Sequence, residues 1–124
     1  MKIALLIHSL VEIIGAIILL LYPDFLSLQN MNIAGYQLIR MYSIIALAFG
    51  LVSIVLYANF NYTIGMKAQY LIILGFHIFI SFHLFSLYQS RVLDGVEPLL
   101  AHILLVGILF VGYFKDIQKF KESI

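Results

Sequence analysis

The chain has 124 residues, 64% of them hydrophobic and only 10% charged, with no cysteine and a formal net charge of +1. Soluble domains average about 45–50% apolar and about 25% charged residues, and a domain this small has too little interior to hide the surplus. These values exclude disulfides, thiolate metal sites, cysteine redox chemistry and the basic footprint of a nucleic-acid binder. They point instead to a bilayer as the solvent.

Residues 3–22 form a near-unbroken apolar run. At ~1.5 Å per residue the run covers about 30 Å, the thickness of a hydrocarbon core. Glu12 interrupts it at the centre, with His8 one turn before. A carboxylate at that depth costs on the order of 2.5–3.5 kcal/mol on insertion scales, so Glu12 is expected to face protein or water rather than lipid. Lys2 ahead of an apolar stretch is also how a signal peptide begins. The length of the run, Glu12 inside it and the lack of a small-x-small site before Pro23 favour an uncleaved anchor. The helix is expected to stop at Tyr22, which precedes Pro23.

Residues 27–37 mix Leu28, Met31 and Ile33 with Asn30, Asn32 and Gly35, which suits either an interfacial segment or an ordinary loop. The second span is expected over 38–58, opening on Arg40. Ser43, Ala46, Gly50 and Ser53 recur at steps of three, four and three, which puts four small residues on one stripe. Such a stripe lets helix backbones approach closely in a membrane and predicts a packing seam. Residues 59–65 read as a polar turn; their Asn61-Tyr62-Thr63 sequon falls on the inner side in the topology below and is discounted.

The third span, 68–88, carries no formal charge but holds His77 and His83. Six positions at ~100° each set them about 120° apart around the helix, so both cannot point squarely at one neighbour. A polar link with the Asp94-Gly95 turn signal leads to a fourth span over 96–114, which carries His102 and has Pro98 at its first turn.

The fold class expected is therefore all-α: a single polytopic membrane domain, an antiparallel four-helix transmembrane bundle. Lys2, Lys67, Lys115, Lys119 and Lys121 share one side and only Arg40 and Arg91 the other. The positive-inside rule then makes both termini cytoplasmic and the cytoplasmic membrane the location. Tyr22, Tyr36, Tyr42 and Tyr88 fall at the outer ends of the spans and Tyr57, Tyr62, Tyr70 and Tyr113 at the inner ends, the pattern of two aromatic belts.

Counting from the span boundaries sets Glu12 and His77 near the midplane, His83 and His102 in the outer third below Arg40, and His8 alone in the inner third. Glu12, Arg40, His83 and His102 would then line an outer-facing polar pocket for a lipophilic or anionic ligand. Glu12 with His77 could alternatively run acid–base catalysis on a lipophilic substrate. A scaffold whose histidines only hydrogen-bond between helices is the third reading. His8 and Glu12 alone supply two ligands on one turn, so no metal site is expected. No cofactor is expected either. A bis-histidine haem on His83 and His102 meets the depth requirement, but adjacent helices bring the two too close for a porphyrin.

The run from Ile14 to Pro23, Arg40 opening a span that later holds Gly50, and Arg91-Val92-Leu93-Asp94-Gly95 before the last span resemble small DoxX-like four-helix membrane proteins. The resemblance implies a four-helix bundle, often an accessory subunit, with links to quinone or sulfur redox metabolism in some members. None of His8, Glu12, His77, His83 or His102 is a motif residue of that family. Expected partners are the lipid bilayer and a further copy of the chain or a membrane subunit, with no nucleic acid.

Overall fold

A computed structural model describes residues 1–26 and 32–120. Its elements are α1 (Lys2–Leu21), α2 (Ile33–Ala58), α3 (Ile64–Gln89) and α4 (Glu97–Asp116), with single 3-10 turns at Pro23–Leu26 and Ile117–Phe120. The chain is all-α, and each of the four helices is long and apolar enough to cross a membrane, the fourth counted through Phe120. The distribution of side chains reverses that of a soluble domain. Ile33, Phe79 and Ile3 are 82, 76 and 72% exposed, whereas His8, Ser9, Ser43, Ser53 and His77 are wholly buried. Only an apolar surrounding medium rewards that arrangement.

The helix ends follow from local chemistry. α2 begins at Ile33 rather than at 38 because the Asn32 side chain accepts the Gly35 N–H at 2.9 Å, an N-cap that satisfies an otherwise orphaned donor. Residues 33–37 of the expected connection are therefore helical, and its residues 27–31 lie outside the described residues. Thr63 caps α3 in the same way, accepting from the Met66 N–H, so that helix starts at Ile64 rather than 68. At the other end of α3 the Arg91 N–H donates to Tyr88 O and the Val92 N–H to Leu87 O. This is a Schellman closure with Arg91 in the left-handed region at φ 57°. α4 carries Pro98 in its first turn, where a missing N–H costs nothing.

α1 packs most extensively on α2 and α3 on α4, while α1 also touches α4. The small-residue stripe makes the first of these pairings: Ser43, Ala46, Gly50 and Ser53 are all buried. A Cβ on Gly50 would stand 2.7 Å from Ile13 Cγ1 and 3.2 Å from Glu12 Cβ, so glycine is what lets α2 approach α1 beside Glu12. Gly112 serves the far end, where a Cβ would meet the Tyr70 hydroxyl at 2.7 Å and Ala4 at 2.9 Å. Phe49 of α2 stacks on Phe76 of α3, ring centroids 4.2 Å apart, and ties the two pairs together.

The main apolar cluster includes Leu5, Leu56, Met66, Ile73 and Leu109. Tyr70 belongs to it and not to an aromatic belt: it is 0% exposed and donates its hydroxyl to Leu109 O at 2.7 Å. Its depth suits a belt, but its position on α3 faces α4. Beside this cluster the Met1 amino group donates to Asp116 at 2.6 Å and to Gly112 O at 3.0 Å, and Lys119 reaches the same carboxylate at 2.8 Å.

Candidate functional site: a buried polar group between the helix pairs

α1 presents His8 and Glu12 one turn apart, hence on one face. α3 presents His77 to that face. The Nε2 atoms of His8 and His77 lie 2.6 Å apart, their rings edge-to-face. His77 Nε2 is also 3.7 Å from Glu12 Oε1. From α2, the Ser53 hydroxyl sits 2.8 Å from His8 Nδ1. All four side chains are buried, with Glu12 the most exposed at 4%.

Proton accounting restricts this group. Two imidazole nitrogens at 2.6 Å cannot both present lone pairs, so one donates or a positive centre lies between them. Ser53 can either give a proton to His8 Nδ1 or accept one, and so serves either tautomer of His8. Glu12 Oε2 and His77 Nδ1 are buried with no hydrogen-bond partner among the described residues. Such atoms carry a desolvation cost of about 1–3 kcal/mol each, more for a charged group, which a purely structural network avoids. One ligand-type atom from each of His8, Glu12 and His77 lies within 4.8 Å of the others, so three groups from two helices converge on one small volume.

His102 stands next to this group but is engaged elsewhere. Its ring centroid is 5.4 Å from that of His77. Its Nδ1 is 2.9 Å from Pro98 O, which can only accept, so Nδ1 donates there and Nε2 of the neutral ring accepts from the Tyr42 hydroxyl at 2.7 Å. Arg40 and His83, expected to line the pocket, are instead exposed on their helices and stay apart from the group; the 120° offset from His77 turns His83 away from it.

Of the residues singled out in the sequence, then, Glu12 and His77 meet, His102 adjoins them, and Arg40 and His83 do not join. His8 is not alone: it is the closest neighbour of His77. Sequence reasoning missed Ser53 and Tyr42 as partners. Ser53 was legible as a seam residue three positions after Gly50, but not at the height of His8; Tyr42 read only as a belt residue. A groove of about 360 Å³ at the α3–α4 link is lined by Tyr88, Gln89, Arg91, Leu93 and Asp94, and an apolar one of about 320 Å³ between α3 and α4 by Phe82, Phe85, Leu99 and Ile103 among others. Neither is lined by the buried polar group. No protein-family model, no curated protein and no solved structure matches this chain.

Proposed function

We propose that this is a multi-pass protein of the cytoplasmic membrane that binds a small ligand at the buried group formed by Glu12, His77 and His8, as a DoxX-like accessory subunit would. Its helices run antiparallel with both termini in the cytoplasm, the arrangement favoured by the lysine bias. The observation that carries the reading is the pair of unsatisfied buried atoms, Glu12 Oε2 and His77 Nδ1, on groups already brought within reach of each other. A packing network has no use for them; a binding site does. The convergent atoms are a carboxylate and imidazole nitrogens, so the ligand is one that offers a positive centre or N–H and O–H donors. Arg40, the side chain suited to an anion, is exposed and lies outside the group.

The test separates ligand service from structural glue. Glu12→Gln keeps shape and hydrogen-bonding capacity while removing the charge. Measured in detergent with chelator present, its thermal stability is expected to equal or exceed that of the wild type, because a desolvation cost disappears and binding sites trade stability for function. In a double-mutant cycle with His77→Ala the coupling is expected to reach ~0.5 kcal/mol or more, the usual sign of contact. A Glu12→Gln chain that fails to fold, in a protein whose His8 and His77 also bind nothing, would make the group a structural one.

A further inference from the structure

We infer that the buried group is a binding site for one divalent first-row transition-metal ion, held by His8 Nε2, His77 Nε2 and the Glu12 carboxylate. The inference deepens the ligand-binding reading and rests on it.

Four observations converge. First, the three ligand atoms lie within 4.8 Å of one another on fully or nearly fully buried side chains. Second, both imidazoles turn the same atom, Nε2, towards the shared space at 2.6 Å, where only a positive centre can sit between two lone pairs. In the metal-free chain that centre is a proton. In the loaded chain it is the ion. Third, His8 is backed from behind: Ser53 engages its Nδ1 at 2.8 Å, and when Nδ1 gives its proton to the hydroxyl, Nε2 is left as the lone-pair nitrogen. Fourth, Glu12 Oε2 is buried, without a hydrogen-bond partner among the described residues, and part of the very carboxylate that faces His77.

The ligand set chooses the ion class. Two imidazoles and one carboxylate suit zinc and its first-row neighbours, and resemble catalytic rather than structural sites in leaving a position open. Calcium and magnesium want oxygen ligands. Tetrahedral bonds of ~2.0–2.1 Å place donor atoms about 3.3 Å apart, so the 2.6 Å His8–His77 gap must widen by about 0.7 Å while the 3.7 Å His77–Glu12 gap closes by about 0.4 Å. Side-chain rotation across the junction of the two helix pairs supplies both movements. His102 is not a ligand, because Pro98 and Tyr42 occupy both of its nitrogens.

The test uses the whole chain in detergent, stripped with EDTA and titrated with Co²⁺ as the visible probe, then with Zn²⁺. One Co²⁺ per chain is expected, with the visible absorption of a low-coordinate site, displaced on addition of Zn²⁺. His8→Gln, Glu12→Gln and His77→Gln are each expected to weaken Co²⁺ binding by ~100-fold or more, beyond the ~10–100-fold typical of an outer partner such as Ser53→Ala. His83→Ala, a change at an exposed histidine, leaves it unaltered. Melting curves of the metal-free variants identify chains that have lost their fold, and the wild-type titration needs no variant. Absence of the Co²⁺ band in the wild type, or a band of unchanged affinity in Glu12→Gln, overturns the inference. If the band is absent while metal-free Glu12→Gln melts at or above the wild type, the metal falls and the ligand-binding reading stands. If Glu12→Gln cannot fold but wild-type Co²⁺ binding is seen and is lost in His8→Gln, the metal site stands without it.

Discussion

The histidines of this chain divide by what holds their nitrogens. His102 has both committed, one to Pro98 O and one to Tyr42, whereas His77 has one buried nitrogen with no partner among the described residues. The first pattern is that of a satisfied structural residue; in the second the ring turns Nε2 towards His8 and Glu12 and leaves Nδ1 without a partner among the described residues. Haem is accordingly not expected: the purified protein should show no Soret band that is lost in His83→Ala or His102→Ala, and such a band would turn the protein into an electron carrier. At this scale Glu12 and the histidines were legible as anomalous residues in an apolar chain, but which of them meet was not. The six-residue step from His77 to His83 showed that the two rings cannot share one neighbour, yet depth alone placed His83 in the pocket with Glu12, Arg40 and His102, and the structure leaves it exposed. The pairing of His8 was not legible, because a depth count resolves only about one helical turn, ~5.4 Å, and Glu12 and His8 are one turn apart. Which of them meets His77 depends on how α1 and α3 are rotated, and rotation is set by packing rather than by hydropathy.

Among the elements, α2 sets the geometry of the site without supplying a ligand. Gly50 brings its backbone against Ile13 and Glu12, and one turn on Ser53 reaches His8. Gly50→Leu should lower the thermal stability in detergent, by roughly the 1–3 kcal/mol of an overpacked core, and should disturb the site with it. The same change at Val55, which is 59% exposed, should cost little. Equal melting of the two variants would remove the seam. The stripe itself could be read from residue spacing alone, since small residues at steps of three and four admit few other uses. The starts of α2 and α3 could not be read from hydropathy, which fades before the helix does; they are fixed by single hydrogen bonds that the Gly35 and Met66 N–H groups donate to the Asn32 and Thr63 side chains.

For the molecule as a whole, the inversion of polarity is the governing fact: isoleucines and phenylalanines outside, histidines, serines and a glutamate inside. Composition alone foretold that much, because 10% charged residues cannot solvate a surface of this size in water. Orientation across the bilayer adds a further expectation. A reporter at the C-terminal end of the chain or near Asn61 should be cytoplasmic, and one near Asn30 should lie outside, following the five lysines on one side. A cytoplasmic reporter near Asn30 would reverse the sidedness of the site.

The division of the chain into an α1–α2 pair and an α3–α4 pair has a consequence for biosynthesis. Synthesis proceeds from the amino terminus and domains form in that order. His8 therefore finds Ser53 within the first pair, while Glu12 must wait for His77, which is not yet made. During that interval a nascent chain ending near Asn59 holds a carboxyl group in hydrocarbon with its eventual neighbour missing.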